Sequence, residues 1–207
     1  MISITQEQIM SNWKVKDTLV SIRCITYNHE HYISQALDGF LMQETTFPFE
    51  IVIHDDASTD GTTDIIKEYE NKFPEIVKPI YETENQYSKK DNTMELLILP
   101  HLKGKYTAFC EGDDFWTNKK KLQMQVDFLE NNPDYGFCCT DVDIYYEDTN
   151  KYGDDEIIQI FLSYVSQKNG LYLCELYDQV FKREKQVKES LSYRIGNFLL
   201  WPLKRLF

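Results

Sequence analysis

The chain has no apolar run near the roughly 20 residues that a membrane-spanning helix needs. Its first 13 residues show neither a basic start nor an apolar stretch, so no signal peptide is expected there. It is short of basic residues: 22 Lys and Arg stand against 34 Asp and Glu, a formal net charge of -12. Non-specific nucleic-acid binding needs a basic surface, so nucleic acid is not an expected partner. No two cysteines form a CxxC pair, and the five present (Cys24, Cys110, Cys138, Cys139, Cys174) are odd in number. Several fall in strand-like runs, where Cys acts as a small hydrophobe, and the natural setting is reduced and cytoplasmic. Neither His29-Glu30-His31 nor the cysteines show a zinc-ligand spacing. GxGxxG, GxxxxGK[ST] and GxSxG are all missing, which removes the dinucleotide fingerprint, the phosphate-cradling loop and the nucleophile elbow. There is no internal repeat and no low-complexity segment.

What is present is a globular composition, 42% hydrophobic and 14% aromatic over 207 residues, enough for one core and a small appendage. Residues 1–17 read as a loose polar lead-in. Residues 19–27 (LVSIRCITY) predict a buried strand. A turn follows, then a helix over 31–43 with Ile33, Ala36, Leu37, Phe40 and Leu41 at helical spacing. Further strands are expected over 49–54, 76–81, 106–110 and 135–146. The helices between them are expected over 62–73, with Ile65, Ile66 and Tyr69 on one face, over 93–102, and over 119–130, with Leu122, Val126 and Leu129 inward. Strand and helix alternating through short connections predict an α/β fold with a mostly parallel sheet flanked by helices. After Asn150 the pattern changes. An amphipathic segment over 154–168 and an aromatic, basic tail over 191–207 predict a small, mainly helical C-terminal extension. The expected division is a core over 1–147 and an appended segment over 148–207.

In such sheets ligands bind beyond the carboxyl ends of the strands. Three polar clusters fall there: Thr26-Tyr27-Asn28, Asp55-Asp56 and Asp113-Asp114. The third lies in Phe109-Cys110-Glu111-Gly112-Asp113-Asp114-Phe115-Trp116, where three carboxylates sit within four residues around a glycine. They repel one another unless a positive charge sits among them. Mg²⁺ or Mn²⁺ suits such oxygen ligands; the alternative is a solvated acidic turn capping the next helix. Gly112 is read as permitting a tight turn. Trp116 either packs beneath the loop or borders an acceptor. His54 reads as a satisfied core histidine, and Lys89 and Lys90 as solvated surface residues with phosphate contact as the alternative.

VSIRCITYNHEHYISQALDGFLMQ, then FEIVIHDDASTDGT, then KGKYTAFCEGDDFWTNKKKLQMQVDFLENNPDYGF resembles the inverting family 2 glycosyltransferases of GT-A fold, in order, spacing and residue type from about Leu19 to Tyr146. The resemblance implies a GT-A (Rossmann-like) core that binds a nucleotide sugar. Thr26, Tyr27 and Asn28 would line the nucleotide pocket. Asp56 would contact the base, with Asp55 beside it. Asp113 and Asp114 would fill the DxD position, Asp114 as the direct ligand of Mn²⁺ or Mg²⁺ and Asp113 nearer the ribose. Tyr152-Gly153-Asp154-Asp155 is similar to the segment that supplies the catalytic base in the family, which nominates Asp155, then Asp154; both are also good helix-start residues.

The implied activity moves a sugar, from a UDP-sugar donor by preference, to a glycan or lipid-linked acceptor with inversion, in surface polysaccharide biosynthesis. In one place the chain departs from the family: only residues 147–152 separate the fifth strand from that Gly-Asp segment, where members usually carry a longer stretch. The chain therefore reads as internally shortened. The alternative function is a non-catalytic nucleotide-sugar-binding relative that has lost its acceptor region. A sugar nucleotidyltransferase would be expected to carry a glycine-rich loop, and residues 20–28 contain no glycine. The tail is expected either to lie on an anionic membrane surface at the inner face, or to pack on its own domain or on a second subunit as a homodimer.

Overall fold

The computed structural model describes residues 2–89, 93–140, 144–146, 151–153 and 198–200. The lead-in expected to be loose contains a five-residue helix, α1 (Gln6–Met10). A capping box starts it: Thr5 Oγ1 accepts from Gln8 N, and Gln8 Oε1 accepts from Thr5 N at 2.8 Å. The helix buries Ile9, and Gln6 Oε1 accepts from Glu75 N at 2.8 Å, which ties the segment to the core. Five residues are too few to show a helical period; the Thr-x-x-Gln spacing was the only sequence signal.

Strand β1 (Val20–Thr26) runs up the middle of the sheet. It pairs in parallel with β2 (Phe49–Asp55) on one side and with β4 (Tyr106–Phe109) on the other. The third strand, β3 (Val77–Tyr81), adds in parallel to β2. The connecting helices are α2 (Ile33–Leu41), α3 (Thr62–Lys72), α4 (Thr93–Ile98) and α5 (Lys121–Asn131). The expected inward faces of α2 and α5 are buried. In α3, Ile66 and Tyr69 are buried, and Ile65 is only partly so. The helix expected to reach residue 102 changes at Leu99 into a 3-10 turn, Leu99–His101, because Pro100 offers no N–H to continue an α-helical ladder.

The strand expected over 135–146 is instead two short ones. β5 (Phe137–Cys139) joins the main sheet, whereas β6 (Ile144–Tyr146) pairs antiparallel with β7 (Lys151–Gly153). Asp141 and Asp143 interrupt the apolar, aromatic run between the two strands, but alternating with Val142 they also read as the solvent face of one continuous strand. Within the tail, β8 (Phe198–Leu200) is a strand lying antiparallel between β4 and β5, giving the order β3-β2-β1-β4-β8-β5. The chain divides into one unit of Met1–Cys139 with Gly196–Phe207 and another of Thr140–Ile195. The amphipathic segment over 154–168, together with Asp154 and Asp155, lies outside the described residues.

The apolar core sits on the two faces of β1 and β2, which are buried almost end to end. That is the pattern of strands covered by helices on both sides. No helix among the described residues is long and apolar enough to cross a membrane.

Candidate functional site

Because β1, β2, β3 and β4 are parallel, their carboxyl ends share one edge, with Thr26 opposite Asp55 and Asp55 opposite Tyr81. The loops leaving that edge are sewn together across β1. Asp56 N donates to Thr26 O at 2.9 Å, and Gly112 N donates to Ile25 O at 2.8 Å. The first bond brings the aspartate pair to β1, and the second brings the acidic motif to it. The three clusters expected to converge are therefore adjacent.

Within the edge, the expected residues differ in what they face. Thr26 is buried, and its Oγ1 has no hydrogen-bond partner among the described residues. Tyr27 and Asn28 are exposed. Asn28 sits at φ 56°, a left-handed conformation that Asn tolerates better than most residues. It holds the loop after β2: Asn28 Oδ1 accepts from Thr59 N at 2.7 Å, and Asn28 N donates to Ser58 Oγ at 3.0 Å. The next residues continue the stitching. His29 N donates to Thr62 Oγ1, Glu30 N to Asp60 Oδ2, and Gly61 N to Glu30 Oε2. Burial works to raise the Asp60 carboxyl, but the hydrogen bonds from Thr62 and Glu30 hold it below its usual range.

Asp55 is buried and shapes the loop. Its carboxylate accepts from Ser58 N at 3.1 Å and from the Thr63 hydroxyl. Asp56 is 1% exposed, and each of its oxygens accepts a backbone N–H: Oδ1 from Gln86 at 2.6 Å, Oδ2 from Tyr87 at 3.0 Å. A buried carboxylate needs such donors. Asp56 thus fastens the short 3-10 turn Tyr87–Lys89 to the strand edge. The sequence singled out Lys89 of that turn, with phosphate contact as an alternative to a solvated surface role, but not the anchoring of the turn by Asp56, which lies 30 residues away along the chain.

Asp113 and Asp114 are partly exposed beside each other, and Glu111 is exposed. His29 Nε2 lies 3.8 Å from Asp113 Oδ2. This contact also escaped the sequence reading, which treated His29 as part of a turn. Burial first, then Glu111, push the Cys24 thiol well above its ordinary value; Arg23 opposes this, and Asp113 and Asp114 add smaller upward effects. Arg23 is itself buried, its guanidinium 5.1 Å from the Phe109 ring centroid.

Trp116 is 3% exposed and packs under the loop, its ring 4.8 Å from that of Phe40. A Cβ on Gly39 would come within 2.9 Å of the Trp116 backbone, so α2 and the loop touch without an intervening side chain. His54 is fully buried, with Nε2 3.3 Å from Glu82 Oε1, while Nδ1 has no partner among the described residues. Lys89 bonds to Gln86 Oε1 at 2.8 Å and pairs with Glu84. Lys90 lies outside the described residues.

Among the described residues no three His, Cys, Asp or Glu side chains are grouped to hold a metal ion by themselves. Asp113 and Asp114 still suit one. Mg²⁺-type cations are commonly held by one or two carboxylates, with substrate phosphates and water completing the shell. Two neighbouring, partly exposed carboxylates are compatible with the protein's share of such a shell.

Several known proteins are similar to this chain. An uncharacterized protein of Mycobacterium tuberculosis is 44% identical over 135 residues, covering 64% of this chain and 37% of that one. The Escherichia coli UDP-Glc:alpha-D-GlcNAc-diphosphoundecaprenol beta-1,3-glucosyltransferase WfgD is 31% identical over 116 residues, 56% of this chain and 43% of its own. The mannosyltransferase PcManGT of Pyrobaculum calidifontis, solved with GDP-Man and Mn²⁺, is 25% identical with a TM-score of 0.51, over 63% of this chain and 39% of that one. Each match spans less than half of the relative's own length. The mostly parallel sheet flanked by helices is the GT-A arrangement that the resemblance implied. The model of Glycosyl transferase family 2 matches residues 21–198, most of the chain, and the chain belongs to that family.

Proposed function

We propose that the protein is an inverting, metal-dependent glycosyltransferase. It takes a nucleotide-sugar donor, a UDP-sugar by preference, and passes the sugar to a glycan or lipid-linked acceptor in surface polysaccharide assembly on the cytoplasmic side. The observation that carries this reading is the meeting of Tyr27-Asn28, Asp55-Asp56 and Asp113-Asp114 on one strand edge, tied through Ile25 O and Thr26 O. WfgD, by its name, uses UDP-Glc and a diphosphoundecaprenol acceptor, and PcManGT was solved with GDP-Man and Mn²⁺. Both support a nucleotide sugar as the ligand of this edge.

In this reading Asp114 holds Mn²⁺ or Mg²⁺ with Asp113 beside it, and the ion supplies positive charge against that of the diphosphate. Asp113 accepts from a ribose hydroxyl. Asp56 accepts from the base through a lone pair not used by Gln86 or Tyr87, since a carboxylate oxygen takes two donors. Asp155, with Asp154 next in order, takes the proton of the acceptor hydroxyl as its oxygen attacks the anomeric carbon. The new bond forms opposite the departing nucleoside diphosphate, and the configuration inverts.

The test is calorimetry of UDP binding with Mn²⁺, alongside an assay of sugar transfer from a UDP-sugar panel. Asp114→Ala is expected to remove Mn²⁺-dependent UDP binding while keeping the fold; unchanged binding would sink the site. Asp155→Asn is expected to keep donor binding and lose transfer, and full activity would dismiss it as the base. The short interval over 147–152 favours a second reading, a nucleotide-sugar-binding relative without catalysis. Tight UDP binding with no turnover of any donor would select it.

A further inference from the structure

The turn fastened by Asp56 carries an exposed aromatic ring. Tyr87 is 72% exposed, yet its backbone is held on both sides. Its N–H goes to Asp56 Oδ2, and the preceding N–H goes to Oδ1. Asn85 Nδ2 reaches Asp56 O at 3.3 Å, Ser88 N donates to Asn85 Oδ1 at 2.8 Å, and Lys89 N donates to Gln86 O at 3.0 Å. Single exposed aromatics on mobile loops are ordinary. An aromatic on a turn this fully bonded is a presented group, because the backbone freedom that would let the ring fold back has already been removed.

A second exposed ring follows the residue that Asp56 reaches through its amide. Asp56 N donates to Thr26 O, and Tyr27, 42% exposed, is the next residue. The two phenols are thus carried by segments that both hydrogen-bond to Asp56, one through its amide and one through its carboxylate. Around them the charges are mostly acidic, Asp55, Asp56, Asp113 and Asp114, and Lys89 of the same turn is paired with Glu84. A flat, neutral, hydrogen-bonding group, unlike the diphosphate, fits such surroundings without a cation between them, and a nucleobase is that group. Its π-face stacks on a phenol whatever its identity.

We propose that Tyr87 is the base-stacking residue of the donor site, set in place by Asp56 and facing the base opposite Tyr27. The proposal rests on the nucleotide-sugar reading and deepens it. Asp56 becomes a positioning residue as well as a base contact, since losing its carboxylate releases the turn that presents the ring.

The experiment measures UDP and GDP binding by calorimetry in Mn²⁺, with inorganic pyrophosphate plus Mn²⁺ as a probe that has no base. The full chain is compared with Tyr87→Ala and Tyr87→Phe. Tyr87→Ala is expected to weaken the nucleoside diphosphate about tenfold and leave pyrophosphate unchanged. Tyr87→Phe, which keeps the ring, is expected to stay within twofold of the parent. Tyr87→Ala with undiminished UDP and GDP affinity would overturn the proposal. So would an equal loss for UDP and pyrophosphate, which would give the turn a purely structural role. If the parent chain binds pyrophosphate but neither nucleotide, the donor reading itself falls, and the proposal with it.

Discussion

Gly112 shows how one residue can bring two loops together. No glycine among the described residues has positive φ, so the tight-turn role read from sequence is not its reason for being glycine. The reason is space. A Cβ there would lie 2.7 Å from both Cβ and Oγ1 of Thr26 and 3.1 Å from His29 Nδ1. With no Cβ, the acidic loop closes onto β1, and Asp113 comes beside His29. Gly112→Ala is expected to cost about 1–3 kcal/mol of stability, as overpacking does, and to weaken Mn²⁺–UDP binding by shifting Asp113 and Asp114. Urea unfolding checks the first and calorimetry the second; parent-like stability would mean that the two loops lie further apart than described. The neighbouring Ala57, at φ 63°, carries strain beside Asp56, a common circumstance at ligand-binding edges. The acidic pair was legible in sequence because three carboxylates around a glycine are chemically conspicuous. The purpose of the glycine was not, because Thr26 belongs to a different strand.

At the scale of the element, α5 buries a lysine at its first residue. Lys121 Nζ donates to Gln125 Oε1 at 3.1 Å and lies 5.2 Å from the Trp116 ring centroid. Burial lowers its ammonium to about 8, with Cys110, Cys138 and Cys139 acting in the opposite direction. The unfolded value is ~10.4. Between those values the unfolded chain keeps a proton that the folded protein has released, so stability rises as pH climbs from about 8 to about 10. Below 8 the full cost of charging a buried amine is present. Lys121→Met is therefore expected to stabilise the protein by about 1–3 kcal/mol at pH 7 and by little near pH 10. Denaturant midpoints at the two pH values measure this; a gain equal at both would mean that Lys121 keeps its proton in the fold. The position of α5 and its inward Leu122, Val126 and Leu129 were readable from helical spacing. The burial of Lys121 was not, since an Asn-Lys-Lys-Lys run reads as solvated.

For the whole molecule, ligand binding should register as stability. If the strand edge takes UDP with Mn²⁺ in the native state alone, UDP at a hundredfold excess over its Kd adds about 2.7 kcal/mol. For a chain of this size that is a rise of about 5–10 °C in Tm. Chelating the Mn²⁺ is expected to remove most of the rise. A melting point indifferent to UDP and Mn²⁺ would contradict the donor site.

The sequence by itself determined the α/β class, the parallel strands, the inward faces of the main helices and the placing of polar clusters at strand ends. Those follow from local periodicity and from the rule that open sheets bind ligands beyond their carboxyl ends. Only the tertiary structure decided that residues 135–146 split between two pairings and that Phe198–Leu200 lies between β4 and β5. It alone set the Asp56 carboxylate against the Tyr87–Lys89 turn, and His29 against Asp113. Pairing partners and loop-to-loop hydrogen bonds join residues distant along the chain, and their energies depend on which neighbours the finished fold provides.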